Sequence, residues 1–445
     1  MHALESLARF VADHREGSIP RSTRDRTALL VADLVGAAAA GLESPLARAA
    51  RAACAGAYGE GDSSVWMTDA RASVAGAAMA NAAAASALDI DDGHRGAAGH
   101  PGAGIIPAVL ALGQSLGASD ERMFDAIALG YDIALRVGAS RPKATIETYC
   151  SGRWLGFGVA AASGRLLGLD AAGLAHAMAI AGAESPVILP HSMLDSTVKE
   201  GIPPAVVAGL TAAFRARAGG TGPLDLIDDD TRFARQVLLT GLGQQWWLEQ
   251  CYLKPYACCR YMHAAVDAIL AMRDPDKPIL SLRIETFAEG LRLVNERAPR
   301  TLEAGQYSYY FSSAVAAVHG GEALQPVAPA LLHDPDVLAL AARIELAAHD
   351  EFADAFPART PCRVILDQGE GPRQMTVKDP LGDVANPMSR QQVFDKFRRI
   401  SAQALQPDQQ QDILAALAVL AEQGFAPLFA ALETPAACEP GGIPR

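Results

Sequence analysis

The feature that most constrains the fold is a run of small residues over positions 72–88, in which alanine predominates. Alanine is the strongest helix former, and a helix without bulky side chains is stabilised chiefly by packing closely against its neighbours. Half of the chain is apolar, whereas aromatic residues make up only 6% of it. Because strands favour β-branched and aromatic residues, this composition predicts a mainly α fold of closely packed helices.

A cluster of polar residues follows this run directly. Three carboxylates and two imidazoles fall within twelve positions: Asp89, Asp91, Asp92, His94 and His100. If helical geometry continues to Asp92, then Asp89 and Asp92 share one face of the helix. The glycines between Asp92 and His100 allow the chain to fold back and bring His100 close to Asp89. A carboxylate and an imidazole held together suit proton transfer, although a solvated acidic helix end and a metal site are alternatives.

Polar residues also precede two further helices of small residues. Tyr149 and Arg153 lie before a predicted helix at 156–167, and Lys199 lies in a loop before a predicted helix at 205–217. An ammonium group beside a substrate carboxylate stabilises a carbanion or enediolate, so Lys199 is a candidate catalytic residue. Arg153 and Arg260 are candidates for binding substrate carboxylates, because a guanidinium group matches a carboxylate in two hydrogen bonds.

The pattern of the chain changes after residue 268. Residues 280–287 and 362–366 alternate apolar and polar side chains, and residues 374–378 are a plausible partner strand. No segment before them alternates convincingly, so the first 263 residues are predicted to be all-α. The sequence therefore predicts an all-helical domain of residues 1–268 and 388–445 and a smaller α+β domain of residues 269–387.

Composition also excludes several classes of partner and cofactor. The net charge of −12 argues against a nucleic-acid partner. The chain has no uncharged run of about eighteen apolar residues, and its first twenty residues carry five charged side chains, so we expect neither a membrane span nor a secretory signal. The seven cysteines lack C-x-x-C spacing, which favours reduced thiols in a cytoplasmic protein over a zinc or iron–sulfur site.

Three blocks of the sequence resemble the MmgE/PrpD family. They are Asp89-Ile-Asp-Asp followed by His100-Pro-Gly, Lys254-Pro-Tyr-Ala-Cys-Cys-Arg-Tyr-Met-His263, and Gly382-Asp-Val-Ala-Asn-Pro387 followed by Lys396-Phe397. The resemblance implies a homodimer in which a large helical domain and a smaller lid domain enclose a polycarboxylate, without a metal or an organic cofactor. It also implies proton movement at a carbon next to a carboxylate, with Asp89, His100 and Lys199 in the active site.

The chain departs from the family pattern at three places. It reads Tyr149-Cys150-Ser151 where decarboxylase-like members carry His-Pro, and Cys259 stands at the position of a catalytic histidine. A tyrosine expected near Leu293 is absent. These differences argue against cis-aconitate decarboxylation, and they also weaken an ordinary dehydratase assignment, because the general acid for the leaving hydroxyl must then be another residue. The set of Asp89, His100 and Lys199 nevertheless favours a cofactor-free lyase of the hydratase/dehydratase type acting on a small di- or tricarboxylate. An epimerase or isomerase of a dicarboxylate such as iminodisuccinate, and a non-catalytic member, are the alternatives.

The sequence thus predicts a site of two kinds of residue. Tyr149 joins the three family positions as a catalytic candidate, since an epimerase needs two bases and Tyr149 with Lys199 would supply them. The predicted set is catalytic Asp89, His100, Lys199 and Tyr149, and substrate-binding Asp92, Arg153, Arg260, Cys259 and His263.

Overall fold

The structure is a computed structural model of the chain, and it describes residues 1–436 except 143, 145, 147 and 190–193. The fold is mainly α, as the composition predicts. Part of the predicted polar loop before Lys199, namely residues 190–193, lies outside the described residues. So does the segment 437–445, which contains Cys438.

Helices joined by short loops form the first half of the chain. They are α1 (Ala3–Asp13), α2 (Arg21–Gly41), α3 (Pro45–Ala53), α4 (Val74–Ser86), α5 (Gly102–Leu116), α6 (Asp120–Ala139), α7 (Gly152–Leu166), α8 (Ala171–Ala183), α9 (Ile202–Arg217) and α10 (Arg235–Leu239). Helix α7 packs against α5, α6, α8 and α9, and therefore lies at the centre of this half. Its small residues permit this: a Cβ at Gly158 would lie 2.3 Å from the carbonyl oxygen of Gly130 in α6.

The first half also contains two short strands that the sequence did not reveal. Strands β1 (Ser63–Ser64) and β2 (Arg71–Ala72) pair antiparallel, so the prediction of an all-α segment up to residue 263 is wrong at this point. A strand of two residues has no measurable alternation, which explains why a period-two pattern could not show it.

A four-stranded sheet dominates the second half. Its strands are β3 (Ser281–Thr286), β4 (Glu345–Ala348), β5 (Cys362–Asp367) and β6 (Arg373–Val377), in the spatial order β4-β3-β5-β6. β3 runs parallel to β4 and antiparallel to β5, and β5 pairs antiparallel with β6. Helix α11 (His263–Met272) covers β5 and β6, and α12 (Leu302–Gln306), α13 (Tyr309–His319) and α14 (Pro335–Arg343) complete this half.

The last helices return to the first half of the chain. They are α15 (Arg390–Ser401), α16 (Pro407–Ala418), α17 (Leu420–Gln423) and α18 (Ala426–Leu432). Helix α15 packs on α2, where a Cβ at Gly36 would lie 3.1 Å from the ring of Phe397. Apolar residues from both ends of the chain share one core, while residues 256–377 contribute most of a second. Domain boundaries at 268 and 388 stay a prediction.

Helix α2 is buried along most of its length between α4 and α15. In the part of the chain that the structure describes, no individual helix combines the length and the apolarity needed to cross a membrane. The segments Arg21–Gly41 and Pro45–Tyr58, which meet at 92°, pass that test only as a bent pair, and by length and composition alone.

A buried ion pair connects α15 to α2 and to the loop after α4. The ammonium group of Lys396 donates to Asp33 Oδ1 at 2.6 Å and to the carbonyl oxygen of Ile90 at 2.7 Å. Both charged side chains are at most 1% exposed. Because Ile90 lies between Asp89 and Asp91, this contact links the C-terminal helices to the polar cluster predicted from the sequence.

We expect Lys396→Met to lower the free energy of unfolding by about 3–5 kcal/mol, because it leaves the Asp33 carboxylate buried without a counter-charge. Asp33→Leu combined with Lys396→Met should recover most of that loss. Urea unfolding of the two variants measures both effects, with Lys277→Met, which removes an exposed lysine, as the control. A loss below about 1 kcal/mol for Lys396→Met would contradict the role given to this pair.

Candidate active site

Asp89 terminates the small-residue run in an unusual backbone conformation. Helix α4 ends at Ser86, the Asp89 amide donates to the Ser86 carbonyl oxygen at 3.3 Å, and Asp89 has a φ of +53°. The expectation that Asp89 and Asp92 share a helical face is therefore wrong, because the chain leaves helical geometry before either residue. A left-handed conformation costs a non-glycine residue about 1–2 kcal/mol, so the surrounding contacts must hold Asp89 in place.

Two buried lysines provide those contacts. The Lys199 ammonium lies 2.7 Å from Asp89 Oδ1, and the Lys254 ammonium lies 2.6 Å from Asp89 Oδ2. The side chains of all three residues are at most 3% exposed. Burial opposes ionisation of Asp89, but the two ammonium groups outweigh it and hold the pKa of this carboxyl well below its ordinary value. Asp89 is thus an anchored anion and not a proton carrier.

His100 folds back onto the same carboxylate, as the sequence predicts. Its Nε2 lies 3.3 Å from Asp89 Oδ1, and its Nδ1 lies 3.1 Å from Asp91 Oδ2. Burial disfavours the charged imidazole, but Asp91, Asp89 and Glu200 more than offset it and raise the pKa of His100 to about 10. His100 is therefore protonated at neutral pH. The loop before it requires glycine, since a Cβ at Gly99 would lie 2.4 Å from Ser151 Oγ.

Glu200 joins the two helix junctions that the sequence singled out. Its Oε2 accepts hydrogen bonds from the hydroxyl of Ser151 at 2.7 Å and from the Ser151 amide at 3.1 Å, just before α7. Its Oε1 accepts from the phenol of Tyr307 at 2.7 Å and lies 4.0 Å from His100 Nε2. Lys199 and Glu200 both have positive φ, 28° and 53°, so the turn before α9 is as constrained as that at Asp89.

Tyr307 completes a buried chain of hydrogen bonds. Its phenol oxygen accepts from the Lys199 ammonium at 2.8 Å while the hydroxyl donates to Glu200. Burial, with Asp89 and Glu200 nearby, raises the pKa of Tyr307 well above its ordinary value, so the phenol keeps its proton. The tyrosine that the family pattern predicts near Leu293 is absent from the sequence, but Tyr307 brings a phenol to the same cavity as Leu293.

These groups border a cavity of about 260 Å³. Of the predicted site residues, it is lined by Asp89, His100, Tyr149, Cys259 and Arg260. The other residues that line it are His94, Arg95, Ala98, Gly99, Cys150, Glu200, Tyr252, Tyr261, Glu289, Arg292, Leu293, Tyr307, Phe356, Pro357 and Thr360. The cavity is small, which suits a metabolite more than a polymer.

Two arginines share one carboxylate on the cavity wall. Arg260 donates to Asp383 Oδ2 at 3.2 Å and to the carbonyl oxygens of Pro380 and Leu381, and Arg95 donates to Asp383 Oδ2 as well. Burial and the neighbouring Arg95 lower the pKa of Arg260. The pair carries one more positive charge than Asp383 neutralises, and Arg260 Nε is a buried donor without a partner among the described residues. This wall can accept a substrate carboxylate.

The other predicted residues lie outside the cavity lining. Lys199 donates to Asp89 and Tyr307, which do line the cavity, and Arg153 lies in the first turn of α7. Asp92 accepts from the Gly102 amide and from the Tyr131 phenol, each at 3.2 Å, and burial together with Asp91 raises its pKa to about 7. His263 accepts from Arg260 through Nδ1 and contacts the Cys258 carbonyl oxygen through Nε2, so it orients Arg260.

Cys259 and Tyr149, two of the predicted residues that line the cavity, keep their protons and are neutral. Burial, with Asp89 nearby, raises the pKa of Cys259 to about 12, which keeps it a thiol. Burial, with Glu289 nearby, also raises the pKa of Tyr149. Lys199 likewise keeps its proton, because Asp89 and Glu200 outweigh its burial and raise its pKa. The two bases expected for an epimerase, Tyr149 and Lys199, are thus both acids in this structure.

Asp89, His100 and Glu200 are close enough to be considered as metal ligands, since one atom from each lies within 4.8 Å of the others. Their chemistry does not suit that role. Each Asp89 oxygen already accepts from an ammonium group, and a protonated imidazole has no lone pair to offer a metal. The donor set favours an internal ion-pair network, and the absence of a metal cofactor stays a prediction.

Sequence reasoning missed three groups of this site: Lys254, Glu200 and Tyr307. Lys254 opens the block Lys254–His263 that carried the family resemblance, and that position was a usable signal. Glu200 is adjacent to Lys199 and was available in the same way. Tyr307 lies more than a hundred residues from every other member of its hydrogen-bonded chain, and nothing local marks it.

Comparison with known proteins identifies related sequences and their family. The family model described as the MmgE/PrpD N-terminal domain matches residues 5–242, and the MmgE/PrpD C-terminal domain matches residues 256–422. The chain is 24% identical to the cis-aconitate decarboxylase-like protein oryM of Aspergillus oryzae, over 92% of each chain. It is 22% and 24% identical to two sequences of cis-aconitate decarboxylase from Aspergillus terreus, over 73% of this chain and 74% of each relative.

The raised pKa of His100 predicts a pH-dependent contribution to stability. The unfolded chain releases this proton near pH 6.5, whereas the native state holds it up to about pH 10. The stabilisation is therefore complete below about pH 6.5 and is lost as the pH rises through about 10. We expect the difference in free energy of unfolding between the wild type and His100→Gln to shrink over this range in urea titrations.

Asp91→Asn is the matched variant for this measurement. It removes a carboxylate that raises the pKa of His100, so the same loss of stability should occur at lower pH. A wild-type advantage over His100→Gln that is constant from about pH 6 to about pH 10 would contradict the assigned protonation state.

Proposed function

The chain belongs to the MmgE/PrpD family, and on that premise we propose that it is a cofactor-free lyase of the hydratase/dehydratase type. Its substrate is a small di- or tricarboxylate. The observation that carries the proposal is a protonated imidazole, His100, held 4.0 Å from the Glu200 carboxylate on the wall of a small cavity. An acid and a base side by side are what elimination of water next to a carboxylate requires.

In this proposal Glu200 is the general base and His100 the general acid. Glu200 removes the proton from the carbon next to a substrate carboxylate, and the electron pair of that bond forms the carbon–carbon double bond. The adjacent carbon–oxygen bond breaks, and the leaving hydroxide takes the His100 proton and departs as water. The general-acid role left open by the missing family histidines is thereby given to His100.

Lys199 and Tyr307 stabilise the charge that develops on the substrate. The Lys199 ammonium donates to the Tyr307 oxygen, which polarises the phenol that lines the cavity. Once Glu200 Oε1 has taken the α-proton it no longer accepts from the Tyr307 hydroxyl, which then donates to an enediolate oxygen. Such stabilisation is worth roughly 3–4 kcal/mol per donor in enzymes. Arg95 and Arg260 bind a second substrate carboxylate in this proposal.

The named relatives are cis-aconitate decarboxylases or are described as like them, so decarboxylation is the reaction to separate from dehydration. The purified protein is incubated with 2-methylcitrate, citrate and cis-aconitate, and both the absorbance of a conjugated alkene and the release of carbon dioxide are recorded. Alkene formation without carbon dioxide supports the proposal. Carbon dioxide release from cis-aconitate alone would assign the other reaction, and no turnover of any of the three would count against a lyase that acts on these acids.

An epimerase is the remaining alternative from the sequence. Its two predicted bases, Tyr149 and Lys199, both hold protons, so nothing in the site favours it over elimination. Solvent deuterium incorporated at the α-carbon of recovered substrate, without net elimination, would identify it. A homodimeric state and a cytoplasmic location are part of the proposal on the strength of the sequence, and sedimentation of the purified protein tests the first of them.

The assignment of base and acid predicts different losses in two variants. Glu200→Gln should abolish both exchange of the α-proton with solvent and elimination, because the base is gone. His100→Gln should lower elimination by a factor of about 10²–10⁴ but retain exchange, because only the acid is missing. Deuterium exchange followed by NMR and alkene formation measure the two steps separately. Retained exchange in Glu200→Gln would show that another group is the base.

Two neighbouring tyrosines provide a matched test of the phenol. Tyr307→Phe should lower kcat by a factor of about 10²–10³ with little change in KM, because the donor acts on charge that develops in the transition state. Tyr309, two positions later, is also buried and hydrogen-bonded, but it donates to the carbonyl oxygen of Tyr261 and lies outside the cavity lining. Tyr309→Phe should keep kcat within about threefold, and equal losses in both variants would mean a structural effect only.

A further inference from the structure

One wall of the cavity is aromatic and is not used by the proposed chemistry. Tyr149, Tyr261 and Phe356 line it, with ring centroids 6.0 Å apart for Tyr149 and Phe356 and 5.4 Å apart for Tyr261 and Phe356. Both contacts are edge-to-face. Phe287 stacks on the far side of Phe356 at 5.6 Å and supports the wall from behind.

This wall is a poor surface for a carboxylate. The face of an aromatic ring carries partial negative charge, and burying an ionised group against it leaves that group without hydrogen bonds. The phenol of Tyr149, whose pKa burial raises, can donate one hydrogen bond but carries no positive charge to pair with a carboxylate. The cations of the lining are His100, Arg95, Arg260 and Arg292, and a substrate made only of carboxylates and hydroxyls would have its acidic groups there and would leave the surfaces of the three rings uncovered.

The sequence supports the same conclusion at one position. Tyr149 occupies the place where the family resemblance predicts His-Pro, so a group able to carry charge is replaced by a largely apolar ring. That ring meets the edge of Phe356 and extends the wall. The change therefore adds aromatic surface to the cavity at the point where the expected imidazole is lost.

We infer that the substrate is a small polycarboxylate bearing an alkyl or aryl substituent larger than a methyl group, which packs against Tyr149, Tyr261 and Phe356. The inference rests on the proposed function for the carboxylate end of the substrate and adds the substituent. Three adjacent rings offer more apolar area than a methyl group covers, and burial of apolar area is the interaction that such a wall supplies.

Binding of unreactive analogues tests this without any turnover. Succinate, methylsuccinate, butylsuccinate and benzylsuccinate have no hydroxyl to eliminate, and their dissociation constants are measured with the wild-type protein by calorimetry. Each methylene buried against the wall should lower Kd about fourfold, so butylsuccinate should bind at least tenfold more tightly than methylsuccinate. Equal Kd values for succinate, methylsuccinate and butylsuccinate overturn the inference but leave the proposed function standing. If none of the analogues binds, the result counts against the dicarboxylate substrate that the inference and the proposed function share.

Variants of Tyr149 locate the effect. Tyr149→Ser should reduce the preference for butylsuccinate over succinate at least fivefold, whereas Tyr149→Phe, which keeps the ring, should retain it. Tyr58→Ser is the matched control, because it removes another half-buried tyrosine that lies outside the cavity. Thermal unfolding of each variant verifies that it is folded. A preference that survives Tyr149→Ser undiminished would overturn the role of this wall.

Discussion

The structure depends on one buried carboxylate held between two buried ammonium groups. Asp89 belongs to the loop after α4, Lys199 to the turn before α9 and Lys254 to the segment before α11, so a single carboxylate joins three distant parts of the chain. Taking three charges out of water is costly, and the arrangement is stable only because each charge meets an opposite one at hydrogen-bond distance. Removing Asp89 would leave two ammonium groups buried without this counter-charge, so the carboxylate fixes all three segments relative to one another.

That anchor also sets the protonation states around it. Asp89, together with Asp91 and Glu200, raises the pKa of His100, which is therefore a cation at neutral pH. Glu200 in turn is held by Ser151 and Tyr307. The site is therefore defined by a pattern of charges and not by one group in an unusual environment. In that pattern the protonated imidazole of His100 is held 4.0 Å from a carboxylate oxygen of Glu200 at the cavity.

Much of this was accessible from the sequence, and the limits have physical causes. Runs of small residues predicted the helices α4, α7 and α9. The glycines before His100 predicted that the chain folds back to Asp89. Both signals are local in the sequence. The sequence analysis placed Asp89 on a helix, whereas α4 ends three residues before it. No local sequence pattern predicts a left-handed conformation for an aspartate that is held in place by lysines distant in sequence. Tyr307 was missed for the same reason: its partners are supplied by tertiary structure. Arg260 was proposed as a substrate-binding residue because a guanidinium group matches a carboxylate. That it shares Asp383 with Arg95 depends on tertiary structure and has no signal in the sequence.

The Lys396 contact has a consequence for how the chain can be divided. Its ammonium group donates to the carbonyl oxygen of Ile90, which lies between Asp89 and Asp91 in the sequence, although Lys396 belongs to a helix near the other end of the chain. The stretch matched by the N-terminal family model, residues 5–242, contains neither this lysine nor Lys254 nor Tyr307. Expressed alone, that stretch would keep Lys199 but lack the other two lysines that contact the acid-rich loop, Lys254 and Lys396. The segments matched by the two family models are thus parts of one structural unit, and recombination between relatives would have to exchange both together.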